Sequence, residues 1–321
     1  MKKINQTTLS LLVMMLFSTI GFSQMAPVKK FDYSILEKKK LYIPTFEANE
    51  KFIQKMSKKG KYDKIADAKE KAAYYNKIWK EAMAESSYDA TDYEIRAFDR
   101  KQLVKSKDKE AILMYFVFDD YGNGQVSLLV TGPKQQIIAS SIINGLDLGE
   151  KNDIRLMMNM LNESLNTASE LNEEGSKTNM KGMRSKYKEG VVEFYDNIGD
   201  KTFLVPKSEH KNEKKAAERN ADLKEALKTW KLSKYEFTTE EEIENKRIEG
   251  DPDYYYWRDF PIYSAINGVR ITYHFNVIIS ADSDDVLFSF MGKKRLKPET
   301  LEQIQSKIVT KANRYKKQLG K

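Results

Sequence analysis

Val269-Arg270-Ile271-Thr272-Tyr273-His274-Phe275-Asn276-Val277-Ile278-Ile279-Ser280 alternates residue by residue. Val269, Ile271, Tyr273, Phe275, Val277 and Ile279 fall on one face of an extended chain, and Arg270, Thr272, His274 and Asn276 on the other. A period of two marks a strand with one face buried and the other wet or covered by something polar. Asn267-Gly268 stands before it, the preferred pair for a two-residue type I′ hairpin turn. Upstream of the turn Tyr254 to Ile262 reads as the partner strand; downstream, Val286 to Met291 reads as a third. The stretch is an antiparallel meander.

Working outward, the same plan occurs earlier in the chain. Ala111 to Phe118 is a strand, Asn123-Gly124 reads as the two-residue turn, and Gln125 to Thr131 and Gln136 to Ile143 follow as strands. Other features pair in the same order. Lys40-Leu41-Tyr42-Ile43-Pro44 resembles Thr202-Phe203-Leu204-Val205-Pro206, Ile78-Trp79 resembles Thr229-Trp230, and Asp92-Tyr93-Glu94-Ile95 resembles Lys234-Tyr235-Glu236-Phe237. The offsets for Trp79/Trp230, Tyr93/Tyr235 and Gly124/Gly268 are 151, 142 and 144. Ordered elements at near-constant spacing indicate a divergent duplication. The tryptophans are the weakest match.

Helices fill the intervals. Ile65, Ala68, Ala72, Tyr75, Trp79 and Ala82 recur at spacings of three and four, as do Leu223, Leu227 and Trp230. Thr239 with Glu242 is a capping box that opens a short helix. Each half closes on an amphipathic helix, through Ile154, Met157, Met158, Leu161, Leu165 and Leu171, and through Leu301, Ile304, Ile308, Val309, Ala312 and Tyr315. Those apolar faces must cover the sheets. The fold class is therefore α/β (α+β): a two-layer sandwich of two divergent tandem β-α-β-α-β-β-β-α units, residues 24–172 and 191–321. Residues 173–190, polar and then basic, read as a mobile linker, after which Val191 to Tyr195 reads as a strand pairing with Lys201 to Val205.

Composition bounds the chemistry. The 321 residues include 40% hydrophobic and 11% aromatic, too much for a disordered chain, and suit roughly two domains of about 150 residues. No cysteine is present, which excludes disulfides, thiolate nucleophiles, thiolate metal sites and c-type haem. Two histidines cannot build a three-histidine zinc centre, and a Ser–His–Asp triad could draw only on His210 or His274. No Gly-x-Ser-x-Gly elbow, His-Glu-x-x-His helix, phosphate loop or dinucleotide fingerprint occurs. The net charge of +8 is interspersed with acids, which speaks for solubility and against a nucleic-acid partner. No cofactor is expected.

Residues 1–23 have the form of a secretory signal peptide. Lys2 and Lys3 precede an apolar run from Leu9 to Phe22, and Gly21 and Ser23 are small residues ahead of Gln24, so cleavage is expected between Ser23 and Gln24. Without a cysteine after the run, no lipid can be attached. The expected product is exported, periplasmic or extracellular, soluble, not lipid-anchored and without a membrane span, its oligomeric state open.

The Lys-x-apolar-apolar-apolar-Pro strand, the helix, the Tyr-Glu strand, the acidic helix and the aromatic strand together resemble repeat units of uncharacterised exported proteins of Gram-negative bacteria. Leu41-Tyr42-Ile43-Pro44-Thr45-Phe46 is also similar to the opening of the N-terminal α/β domain of the Tol-system periplasmic protein and of lipoprotein activators of cell-wall synthases. The first resemblance implies no activity. The second implies an envelope protein that binds other proteins, though the lipid-bearing cysteine of those activators is missing here.

Among individual residues, Arg270 and His274 on the polar stripe could bind an anion or relay a proton. Tyr254 and Tyr256, from the run Tyr254-Tyr255-Tyr256-Trp257, could present aromatics to a sugar or a protein. Asp282, Asp284 and Asp285, and Asp251 and Asp253, crowd turns in which calcium could sit, but without the pattern of the twelve-residue calcium loop; Asp119 and Asp120 are alike. Each set equally suits ordinary turn or strand-face chemistry. The repeated features are scaffold and no polar constellation is seen to repeat, so the leading expectation is a non-enzymatic binding or assembly module with a protein partner in the cell envelope. The alternatives are a carboxylate-dependent hydrolase with its site between the units, and a calcium- or sugar-binding protein. An inter-unit cleft with two facing carboxylates of raised pKa would favour the hydrolase.

Overall fold

The computed structural model describes residues 40–86, 93–96, 112–119, 122–130, 136–173, 180–208, 212–266, 269–292 and 296–320. The first unit contains β1 (Leu41–Pro44), α1 (Glu50–Ser57), α2 (Tyr62–Glu85), β2 (Tyr93–Arg96), β3 (Ile112–Phe118), β4 (Gly124–Val130), β5 (Gln136–Ile142) and α3 (Lys151–Glu173). After it come α4 (Met180–Asn197), β6 (Thr202–Pro206), α5 (Glu213–Leu227), β7 (Lys234–Thr238), α6 (Glu240–Glu249), β8 (Tyr254–Ile266), β9 (Val269–Ser280), β10 (Val286–Gly292) and α7 (Pro298–Leu319).

The strands form two five-stranded sheets of one topology, β2-β1-β3-β4-β5 and β7-β6-β8-β9-β10. In each, the proline-ended strand runs parallel to both neighbours, and the meander pairs antiparallel. The fold is the expected mixed α/β architecture with two similar units. Part of the extra length between Pro44 and Tyr93 is α1, which has no counterpart after β6.

One core lies between the first sheet and helices α2 and α3, around Leu41, Ile43, Trp79, Met114, Leu128, Met157 and Leu161. A second lies between the second sheet and α4, α5 and α7, around Phe203, Tyr255, Ile278, Phe288, Leu301 and Ile308. The opposite face of that sheet carries a third, in which Leu204, Tyr256, Phe260, Phe275, Val277 and Ile279 meet Ile243 of α6 and Leu156 and Met160 of α3. Helix α3 therefore serves both units. Ile154, Met157, Met158, Leu161 and Leu165 face the first sheet, while Leu156 and Met160 face the second. A helix apolar on two sides is one enclosed between layers.

Four local expectations are corrected. Met180 to Gly190, read as linker, belongs to α4, and Val191 to Tyr195 is helix, not strand. Tyr187, Val191, Phe194 and Ile198 recur at helical spacing and pack into one core, so the period of 3.6 overrides the short β-like run. Residues 174–179 lie outside the described set. The first hairpin is not closed by a two-residue Asn-Gly turn. Asp119 N donates to Asn123 O, and the positive φ falls on Gly122 at 89°, so Asn123 pairs across the hairpin with Asp119 and is not a turn residue. In the second hairpin Ile266 pairs with Val269, and Asn267-Gly268 lie outside the described residues. Finally, β9 is two-sided only at its start. Val269 is 65% exposed, whereas Asn276, Ile278 and Ser280 are as buried as Phe275, Val277 and Ile279, because helices cover both faces of the sheet there.

Candidate functional site

The polar groups concentrate where the units meet, along α3. Asp153 pairs with Arg258 of β8, and Arg155 Nη1 donates to Glu244 Oε1 of α6 at 3.1 Å. Asn159 Nδ2 donates to Asp284 Oδ2 in the β9–β10 turn at 2.7 Å. Arg247 of α6 completes this network. Its Nε and Nη2 reach the two oxygens of Asp284 at 2.7 and 2.8 Å, and its Nη1 pairs with Glu244. The Tyr256 hydroxyl donates to Asp284 Oδ1 at 3.0 Å. Arg247 and Asp284 are almost completely enclosed, with side chains 3% and 4% exposed. Such a pair persists only because each partner is saturated with hydrogen bonds. Burial opposes the Asp284 charge, but the Arg247 guanidinium and the Asn159 and Tyr256 donors outweigh it and hold the carboxyl below its usual range. Asp284 also adopts a left-handed backbone, φ 60°, which aspartate tolerates better than most residues.

Beyond Met160 the second-unit-facing stripe of α3 turns polar, with Glu163, Thr167 and Glu170. These line a cleft of about 610 Å³ against α4 and the β9–β10 turn. Glu189, Glu193, Asp284 and Asp285 add carboxylates, and Lys186 and Lys201 are its only lysines among the described residues. Lys186 sits 3.5 Å from Glu170, and Lys201 donates to the Pro252 carbonyl at 2.6 Å. The cleft is thus acidic on a chain of net charge +8. Gly190 lines it from α4, and a side chain there would meet nothing within 4 Å. A glycine inside a helix costs about 1 kcal/mol relative to alanine, and here no packing demands it.

Within the cleft the Glu163 and Asp285 carboxyls are neighbours, each shifting the other's proton affinity. Burial, and then the Asp285 charge, push Glu163 up to about 7, against the Thr167 hydroxyl that donates to it at 3.2 Å. Burial also raises Asp285, opposed by Ser283, whose hydroxyl donates to it at 2.8 Å, and by Glu163. Asp285 Oδ1 is buried and has no N–H or hydroxyl partner among the described groups.

The sequence candidates scatter. Tyr256 is enclosed in the Asp284 network, and the Tyr254 ring lies under Lys246 Nζ at 4.7 Å. His274 Nδ1 is 2.8 Å from Asp259 Oδ2 on the neighbouring strand, and beside it Trp257 Nε1 donates to Asn276. The side chain of Arg270, and Ser23, Gln24, Asp120 and His210, lie outside the described residues. Of the turn aspartates, Asp284 and Asp285 reach the site, while Asp282 accepts from Ser280, Asp251 from the Asp253 backbone, and Asp119 from Asn123. No group of three histidines or carboxylates that could hold a metal ion occurs among the described residues.

One repeated polar device escaped the sequence. Asn76 of α2 accepts from Phe46 N at 2.8 Å and donates to Phe46 O at 3.0 Å. Asn220 of α5 makes the same pair with Ser208, at 2.7 and 3.3 Å. Phe46 and Ser208 each stand two residues after the proline that ends their strand, and the two asparagines are offset by 144 residues, within the duplication interval. The shared word is a single asparagine in a helix, and the loop it binds lies 30 residues away in one unit and 12 in the other. Neither fact stands out in a sequence. No protein-family model, no curated protein and no solved structure matches the chain.

Proposed function

We propose that the chain is an exported, non-enzymatic cell-envelope protein that binds a partner in the acidic cleft between its units. The observation that carries this reading is the cleft itself, built from α3 of the first unit with α4 and the β9–β10 turn of the second, and acidic on a basic molecule. Its charge suits a partner segment bearing lysine or arginine, since complementary potentials steer and register such contacts. The leader-like residues 1–23 support export. No helix among the described residues is long and apolar enough to cross a membrane. The test is affinity capture from the source cell envelope with the wild-type chain and with a Glu170→Gln/Glu189→Gln/Glu193→Gln variant. The expected result is a partner held by the first and lost by the second at unchanged melting temperature. Recovery of the same proteins by both, or of none by either, overturns the reading.

One observation favours a second reading, a carboxylate-dependent hydrolase. Burial and the Asp285 charge push Glu163 up to about 7 beside open space, the condition for acid–base exchange. Turnover of an envelope polymer by the wild-type chain and not by Asp285→Asn would put this reading first.

A further inference from the structure

We propose that Glu163 and Asp285 form a proton-gated latch: one shared proton hydrogen-bonds α3 of the first unit to the β9–β10 turn of the second, and its loss sets two carboxylates against each other and loosens that contact. The latch needs no ligand and stands apart from the binding reading.

The geometry supplies both states. In the closed state one carboxyl proton is shared by Glu163 and Asp285, whose buried Oδ1 has no N–H or hydroxyl partner among the described groups. In the open state the proton has gone to solvent and no cation among the described residues replaces it. On α3 the next charged group is Glu170, which adds repulsion and is itself paired with Lys186. From α4, Lys186 is thus committed, Glu189 accepts from Ser185, Glu193 is another carboxylate, and Tyr187, pushed up to about 12 by burial, stays neutral. In the turn, Asp282 and Asp284 both oppose the Asp285 charge, and Arg247 of α6 is bound to Asp284 and Glu244. Lys201 is turned to the Pro252 carbonyl. Among the described residues no cation is placed to compensate a doubly ionised pair.

The sign follows from proton counting. Burial and Asp285 raise the folded-state pKa of Glu163 from 4.5 to about 7. Between those values the folded chain holds a proton the unfolded chain has released, so this contribution is full below about pH 4.5 and lost as pH rises through about 7.

The experiment uses the full chain. Melting temperature between about pH 5.5 and about pH 8 is expected to fall by about 5 °C in the wild type. In Glu163→Gln, whose amide can donate at every pH, most of that fall should vanish. An equal fall in both proteins overturns the latch, as does no fall in the wild type. Should Glu163→Gln not fold, carboxyl-carbon NMR of the wild type decides, since a Glu163 midpoint near 7 supports the latch and one below about 5.5 overturns it.

Discussion

At the scale of single residues, the units are held together by side chains that act as backbone. Asn76 and Asn220 offer an amide oxygen and an amide hydrogen to a loop peptide, as a neighbouring strand would. Asn123 does the same across the unit boundary, accepting from Tyr263 N and donating to Tyr263 O, both at 2.7 Å. These peptides lie where no strand continues, so their polar groups would otherwise need water. Asn220→Ala removes both partners of Ser208 at once. The expected cost is about 1–3 kcal/mol, the penalty for stranding partly buried backbone groups, read by urea denaturation. Asn76→Ala should cost a similar amount through Phe46. A loss under about 0.5 kcal/mol in both would show that water replaces the amide.

At the scale of elements, sequence period was informative wherever one element met one surface. The meanders, the Thr239 capping box and the apolar faces of α3 and α7 were all legible, because each pattern is local. The box is complete, with Glu242 pulled down to about 2 by the Thr238 hydroxyl and by Thr239. Period showed only one of the two surfaces that β9 and α3 meet, and it failed in α4, where a charged, glycine-bearing sequence masks a helical stripe. The site was illegible for a related reason. Glu163 and Asp285 are 122 positions apart in the chain and meet only because α3 packs on the second sheet. The edge strand β10 shows an element managed by side chains. Lys307 and Lys311 of α7 donate to the outward carbonyls of Met291 and Ser289 at 3.0 and 2.9 Å, and Ser289 N donates to the Tyr187 hydroxyl at 3.3 Å. Charged and bulky cover of this kind keeps an edge from pairing with another chain. Burial, then Lys307 and Arg314, push the Lys311 amine down to about 8. From about 8 to about 10.5 the unfolded chain holds the extra proton, so this group's contribution to stability improves as pH rises. The variant Lys307→Ser/Lys311→Ser should self-associate more than the wild type when sedimentation is compared at equal concentration. Identical sedimentation would mean that Tyr187 and α4 suffice as cover.

At the scale of the whole molecule, the duplication does not produce two independent bodies. Each unit has its own sheet, yet α3 gives Met157 and Leu161 to one core and Leu156 and Met160 to another. The Arg247–Asp284 network, the Asp153–Arg258 pair and the Asn123–Tyr263 bridge cross the same boundary. Unfolding either unit would strip α3 of one of its two buried faces and leave Asp284 without Asn159. The energetic unit is therefore the pair. Calorimetry should show a single transition with calorimetric and van't Hoff enthalpies in agreement. Leu156→Ala or Met160→Ala, each costing about 2–5 kcal/mol as buried truncations, should move that whole transition down and not split it. Two resolved transitions in the wild type, with only the second shifted by Leu156→Ala, would show that α3 belongs energetically to one unit and merely touches the other.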